Sequence, residues 1–563
     1  MIKRKRICAL LLTLTVGTSL LAGCGSKTNS SGADSSVPQV VTYNLGAEPK
    51  SIDPALNEAV DGSTVIANAF EGLMRLDDKD QPIPGIAEKY EMSSDGLKYT
   101  FHLRKDAKWS DGKPVVAGDF EYGWKRALNP DTAALYAYQM YYVKNGQGYN
   151  ESKLPTDKKT PGVKPATVDE VGVKAVDDYT LEVTLEQPTL YFLSLMSFAT
   201  YMPIRKDMVE KGGEAWATKP ETYVTNGAFK LKEWKPKDTL IFVKNDKYWD
   251  AKDIKLQTIN YKMLDDQNAS LTGFKAGQID IIDNPPQEQI PSLVKDGTAQ
   301  VLPNLGTYYY DINVSPDAAK VDPAAAKVLQ DKNVRKALSL AIDRKAIVEN
   351  VAKGGQLPAT AWVPKGIPDD KGKDYANKDY YPANGDIAQA QKLLADAGFP
   401  GGKGFPKLTF TYNTSSGHQN IAAAVQDMWR KNLGIEITLQ NQEWKVFQKT
   451  RTDKQYILAR DGWSADYVDP MTFMDLFTST SGNNNCGYNN PEYDKLIAEA
   501  KNSTDAAKRM EYMHQAEDLL MADAPIIPIY IYTNIVCQKP TVKDVRKSPM
   551  GQMYFQNAYI VKK

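Results

Sequence analysis

Between Trp444 and Asp466 the sequence gathers two tryptophans (Trp444, Trp463), two arginines (Arg451, Arg460) and an aspartate set in an aromatic turn, Ala465-Asp466-Tyr467. These residue types suit ion pairing and stacking against a bound molecule rather than bond-making. The run QYILA (455–459) reads as a short strand, mostly apolar and β-favouring. Asp461-Gly462 follows it as a turn signal. The polar cluster is thus expected just past the C-terminal end of a strand, where α/β folds place ligands. Taken alone, the same residues also read as core tryptophans, solvated arginines and an aspartate capping its own turn.

Enzymatic chemistry has little to stand on. The three histidines, His102, His418 and His514, show no metal-ligand spacing, and there is no H-E-x-x-H. No G-x-S-x-G elbow, Walker loop or G-x-G-x-x-G occurs. Gly401-Gly402-Lys403-Gly404 lacks the strand-to-helix context of a phosphate loop and reads as a surface turn. The expectation is a non-enzyme without metal or cofactor.

The 563 residues suggest two to four domains, and 42% hydrophobic with 25% charged residues is a globular balance. With 69 basic and 69 acidic residues, no nucleic-acid partner is indicated. Thirty-one tyrosines against 15 phenylalanines suit a wet, adaptable binding surface. Residues 1–23 read as a signal peptide: a basic start, Lys3-Arg4-Lys5-Arg6, then an apolar stretch too short for a comfortable span. It ends Leu21-Ala22-Gly23-Cys24, which resembles a bacterial lipobox with Cys24 as the lipidated first residue. Its removal leaves 65 basic and 69 acidic residues, a charge of −4. Residues 24–38 are the lipidated cysteine and a Gly/Ser-rich flexible tether. Cys8 leaves with the signal. Cys486 and Cys537 could pair, but their spacing carries no motif and free thiols are favoured.

Along the chain, SIDPA (51–55), AFEGLMRLD (69–77) and the long run from Pro84 to Pro130 carry a family resemblance, with Lys108-Trp109-Ser110-Asp111-Gly112 followed by Asp119-Phe120 its most recognisable part. Physically this run is a strand (Lys98 to Arg104), a turn, and a helix from Ala117 to Leu128, preceded by helical periodicity over 63–76 after a Ser or Thr cap. GVKAVDDYTLEVTLEQP (172–188) and TNGAFKLKEWKPKDTLIFVKNDKYWD (225–250) read as hairpins, and TYYYDIN (307–313) and APIIPIYIYTNIV (524–536) as strands. With these and further motifs in order, the chain resembles the oligopeptide-binding proteins of ABC importers over residues 39–563. The sequence itself gives α/β. The resemblance implies a periplasmic-binding-protein-like hinged two-lobe trap with a third inserted lobe. Lobe I would comprise 39–70, 204–305 and 534–563, lobe II 71–203, and lobe III 306–533, with the hinge near 305 and 533. It also implies a lipid-anchored, monomeric receptor on the extracellular face of the cell membrane of a Gram-positive bacterium, passing short peptides to ABC importer permease subunits. Within the same fold the alternatives are another solute (a dipeptide, nickel chelate or oligosaccharide) or peptide-pheromone sensing.

The resemblance also assigns a site. The motif Gly462-Trp463-Ser464-Ala465-Asp466-Tyr467 contains the acid that binds a ligand's α-ammonium, which falls on Asp466. Arg451, Arg460 and His418 match groove positions that meet ligand carboxylates. Trp444, Trp463, Tyr136 and Tyr532 match pocket-lining aromatics, and Glu58, Asn284, Asp311 and Asn413 match polar groove positions. The family's groove lysine falls on Ala352, with Lys353 beside it, and Asp311 stands where a glutamate is usual. A disulfide of Gram-negative relatives would join Gly306 and Ser464, and both of its cysteines are absent here.

Overall fold

The computed structural model describes residues 37–156 and 159–562. The signal peptide, Cys24 and most of the tether lie outside the described residues. A mixed sheet of 11 strands crosses the molecule. Its order is Ile437–Gln442, Leu408–Asn413, Leu458–Ser464, Ala299–Ile312, Ile526–Gln538, Ile281–Asp283, Val40–Asn44, Thr258–Lys262, Thr239–Lys244 and Phe229–Lys235, with Leu357–Pro358 paired onto Ile526–Gln538.

The two longest strands, Ala299–Ile312 and Ile526–Gln538, are antiparallel neighbours at the centre. The first carries three consecutive tyrosines and the second five isoleucines and two tyrosines, and both are buried over most of their length, as strands covered on both faces must be. The two-residue period of a strand turns Tyr308 and Tyr310 to one face and Tyr309 and Asp311 to the other. Tyr308 accordingly stacks on Tyr530 with ring centres 4.6 Å apart, and Tyr310 lies 4.3 Å from Phe410. Tyr309 meets Trp362 edge-on at 4.8 Å.

Residues 87–184 build a separate four-stranded antiparallel sheet, in the order Ala87–Met92, Lys98–Leu103, Thr180–Thr184, Val173–Asp177. Helix Ala117–Leu128 packs against it, with Glu121 Oε2 accepting from the Ala175 amide (2.8 Å), while the buried Trp124 donates its indole N–H to the Tyr201 carbonyl (2.8 Å). Asp119 fixes the start of that helix: its Oδ2 accepts from the Val116 amide (3.0 Å) and from Trp109 Nε1 (2.9 Å). The Trp-Ser-Asp-Gly…Asp-Phe signature is therefore a helix-entry clamp, in which the carboxylate three residues into the helix satisfies the N-cap amide and holds Trp109.

Two local expectations are corrected. The helix expected over 63–76 is Val60–Ala69, with Ala59 rather than Ser or Thr at its N-cap; Met74–Leu76 is a strand. Asp461-Gly462 is not a turn: both lie inside strand Leu458–Ser464, opposite Tyr309 and Tyr308. Partners outside the strand explain this. The Asp461 carboxylate accepts from Arg451 and from Asn485 (3.0 Å), so it has no need to close a local turn. Gly462 is a glycine because of crowding: a Cβ there would lie 2.2 Å from the Tyr532 hydroxyl. Cys486 and Cys537 are both free and buried.

Candidate functional site

Strand Leu458–Ser464 delivers the central residues of the site. Arg460, Gly462 and Ser464 alternate to one face and Asp461 and Trp463 to the other. The chain then leaves the sheet, and Asp466 sits two residues beyond the strand end. Its backbone amide donates to Thr472 Oγ1 (3.0 Å).

Asp466 is enclosed by residues distant in sequence. The Tyr136 hydroxyl donates to Oδ1 (3.3 Å) and Gln139 Nε2 to Oδ2 (3.1 Å). Both belong to the short helix Leu135–Met140. Trp463 stacks on Tyr136 at 6.0 Å, and its indole N–H is buried with no acceptor. Among the described residues no lysine or arginine forms an ion pair with Asp466, so only neutral donors hold it. Burial pushes its carboxyl up to about 8. An acid kept in this way is stabilised by an arriving cation, which would restore the ionised form.

A second cluster gathers around Arg460 on the opposite face. Its Nη2 donates to the Tyr532 hydroxyl (2.9 Å) and Nη1 to Asn413 Oδ1 (3.4 Å), and its guanidinium lies 5.0 Å from the centre of the Tyr308 ring. Its Nε is buried without an acceptor, and no carboxylate pairs with it among the described residues. His418 Nδ1 stands 3.3 Å from the Tyr308 hydroxyl. Burial, and then Arg460, hold its imidazole well below the usual range, so it is neutral. This cluster is a cationic donor set without an anion.

Arg451 and Asp311 are placed differently from expectation. Arg451 is ion-paired with Asp461, which takes up its charge. Asp311 is fully buried. Burial, and then the adjacent Asp461, push its carboxyl well above the ordinary range. Although burial works against it, Arg451 holds Asp461 below its ordinary value. Asp311 therefore keeps its proton, and the pair of acids carries one negative charge against one arginine. Arg451, Asp461 and Asp311 form a neutral internal cluster on the Trp463 face of the strand.

The remaining assigned residues lie around these clusters. Trp444 opens helix Trp444–Thr452, and its indole N–H donates to Asp61 Oδ2 (2.8 Å). Burial raises the Asp61 carboxyl to about 6. Glu58 pairs with Lys50, and Asn284 is exposed with a left-handed backbone (φ 51°). Ala352 is buried; Lys353, with φ 56°, ends the same helical turn. Gly306 and Ser464 face each other directly across neighbouring strands. Sequence reasoning missed Gln139, Asp461 and Asp61. Gln139 carried no motif, and Asp461 was masked by reading Asp-Gly as a turn.

The model of the bacterial extracellular solute-binding proteins, family 5, matches residues 81–485. The chain belongs to that family. Its members are receptors rather than enzymes. The oligopeptide-binding protein OppA of Bacillus subtilis is 39% identical over 99% of both chains. Haemophilus influenzae OppA, solved in complex with RPPGFSPFR, superposes with a TM-score of 0.83 at 35% identity, covering 94% of this chain and all of that one. The Escherichia coli murein tripeptide-binding protein MppA gives 0.82 at 35% identity, covering 93% and 99%. The unliganded open form of MppA gives only 0.60, over 93% and 98%. The arrangement described here is therefore not the open one, and the contacts enclosing Asp466 and joining Trp444 to Asp61 belong to a closed cleft.

Proposed function

We propose that the protein is a lipid-anchored extracellular receptor that captures short peptides in a closing cleft and hands them to an ABC importer. The observation that carries the ligand class is Asp466, an enclosed carboxylate with neutral donors and no cation. A peptide's α-ammonium supplies the missing charge with three donors. Arg460 is the complementary feature, a cation that takes a ligand carboxylate. Five residues lie between the two, so their backbones stand at most about 20 Å apart, the span of roughly six extended residues. Backbone pairing with strand edges and stacking on Trp463 and Tyr532 would hold such a peptide without reading its sequence. The names of the relatives, peptide-binding proteins from several bacteria, support the same reading. On this reading Cys24 carries the lipid, residues 24–38 tether the body, and lobe II (71–203) closes over the ligand's amino end.

Native mass spectrometry of residues 25–563 tests it, using the protein as isolated and after adding a tetrapeptide or its N-acetylated twin. Co-purifying short peptides and binding of the free-amine form alone are expected. Equal binding of both forms would remove Asp466 as the anchor, and binding of neither would remove the peptide as ligand.

A further inference from the structure

The described chain begins at Val37, and its last strand, Tyr559–Ile560, lies beside that point. Gln39 joins the two: its Nε2 donates to the Ile560 carbonyl (3.0 Å), and its Oε1 accepts from the Ile560 amide (3.0 Å). Tyr559–Ile560 pairs with Val542–Lys543, and the Gln39 carbonyl accepts from the Gln257 amide (2.8 Å), just before strand Thr258–Lys262. Three stretches therefore meet where the chain enters the body, and they are rich in lysine. Residues 534–563 hold six basic residues and one acidic residue, in a chain that carries −4 once residues 1–23 are removed. Arg546 and Lys547 are engaged internally, by Asp80 and Asp283. Lys252, Lys543 and Lys562 are exposed, and Lys255 lies over the Tyr559 ring, 4.1 Å from its centre. None of these four forms an ion pair among the described residues. Asp250 feels the charge of Lys252 but pairs with Arg75 (3.6 Å). The exposed acids beside the four lysines are Asp253 and Asp544.

We infer that this lysine-bearing pole rests on the anionic headgroups of the bilayer that holds Cys24. The inference rests on the lipid-anchor reading above and adds an orientation to it. Thirteen residues, 24–36, join the anchor to Val37. Fully extended, a chain of that length reaches at most about 45 Å. A compact body of this size is roughly 60 Å across, and a path round half of it is roughly 95 Å. The face opposite the entry point therefore cannot be turned to the bilayer, whereas the faces around it can. Charge selects among those. The chain as a whole is negative and is repelled by an anionic surface, but lysines held within a Debye length of it, about 10 Å at 0.1 M salt, are attracted. The ligand site stands apart from this contact: strand Leu458–Ser464 is four places from Val40–Asn44 in the sheet, about 19 Å away.

The experiment couples residues 24–563 at Cys24 to a maleimide lipid and places the protein on vesicles of phosphatidylcholine, alone or mixed with phosphatidylglycerol. Cys486 and Cys537 are buried, which directs the lipid to Cys24. Lysine acetylation rates are then read by mass spectrometry. At about 0.05 M salt, Lys252, Lys255, Lys543 and Lys562 are expected to react about fivefold more slowly, or slower still, on the anionic vesicles than on the neutral ones. The exposed Lys392 and Lys495 should react equally on both. About 0.5 M salt should abolish the difference. Lys543→Glu combined with Lys562→Glu should restore fast labelling of Lys252 and Lys255 and leave tetrapeptide affinity unchanged. Equal rates on the two vesicle types, or slowing at Lys392 and Lys495 instead, would overturn the inference. So would slowing by soluble polyphosphate with none from anionic vesicles, which would make the partner a free polyanion. Because the lipid is attached chemically, these outcomes stand apart from the natural anchor. The mass of Cys24 in protein isolated from cell membranes tests that anchor, and an unmodified Cys24 there would remove the anchor reading and the inference with it.

Discussion

Asp466→Asn is the most informative single substitution, because asparagine keeps the shape of the side chain and removes its charge. Burial in the closed cleft pushes the Asp466 carboxyl up to about 8. A solvated aspartate titrates near 4. The closed, empty form therefore binds one more proton than the open form across about pH 4 to pH 8. Closing without ligand takes up that proton, so it becomes harder as pH rises through the window, by close to tenfold per pH unit near neutrality. Above about pH 8 the dependence levels off, since neither form holds the proton. A peptide ammonium replaces the proton and allows closure with the acid ionised. Asparagine should abolish both effects. Empty closure should lose its pH dependence between about pH 7 and about pH 8, above the range where Asp61 and His418 titrate, and a free-amine peptide should bind at least a hundredfold more weakly, since removing one partner of a buried charge pair costs about 3–5 kcal/mol. Calorimetry with a tetrapeptide and its N-acetylated twin reads the second effect. Small-angle scattering of the empty protein from about pH 5 to about pH 8.5 reads the first. An Asp466→Asn variant within about threefold of wild-type affinity, together with wild-type scattering that ignores pH, would refute the reasoning.

Further predictions follow from the same geometry. Arg460→Met should weaken a peptide with a free C-terminal carboxylate by roughly tenfold to a hundredfold and spare its amide, because charged hydrogen bonds contribute about 1.5–3 kcal/mol; equal losses for both peptides would remove the carboxylate from Arg460. Gly462→Ala puts a Cβ 2.2 Å from the Tyr532 hydroxyl, forcing that ring off Arg460, so thermal stability should fall by about 1–3 kcal/mol and Gly462→Ala should be better tolerated in a Tyr532→Phe background. Arg451→Met leaves Asp461 unneutralised and should cost about 3–5 kcal/mol in denaturant unfolding. Asp311→Asn, which replaces an acid already holding its proton, should change the same unfolding free energy by under about 1 kcal/mol; equal losses in the two variants would contradict the shared-proton arrangement.

Much of the architecture was legible because it is written in local patterns. TYYYDIN and APIIPIYIYTNIV are apolar, β-favouring runs, and they became the two central strands. The Ala117–Leu128 helix is announced by Asp119 three residues after Val116, a spacing that a capping carboxylate requires. What failed was where tertiary partners override local preference. Asp-Gly signals a turn only when the aspartate must satisfy itself nearby, and here Arg451 and Asn485 do so from elsewhere. The same long-range partners could not be read at the site. Asp466 was visible through its motif, but Gln139 lies 327 residues away and nothing in its neighbours marks it. Asp311 and Arg451 carried the residue types of a groove, but side-chain type does not say which face of a strand ends up in the interior.

The disposition of charge separates structural from ligand-facing residues more sharply than their identities do. Three ionisable groups come from one strand and its exit: Arg460, Asp461 and Asp466. Asp461 is matched inside the protein by Arg451, and Asp311 stays neutral beside them, so that cluster presents no net charge for a ligand to match. Arg460 and Asp466 are each enclosed with neutral donors or acceptors and lack an opposite charge among the described residues. An empty closed cleft at neutral pH therefore holds an unmatched arginine and an acid forced to keep its proton, set apart along the strand and its exit. A zwitterionic chain of the right length matches both at once, whereas a ligand bearing only one charge leaves the other uncompensated. Closure is thereby coupled to the presence of both ends of a peptide. It follows that blocking both termini should cost about as much as the two single blocks combined when the ends act independently, and less when loss of either end already prevents closure. A double-block cycle with the four tetrapeptides distinguishes these cases, and a combined loss smaller than the sum is expected.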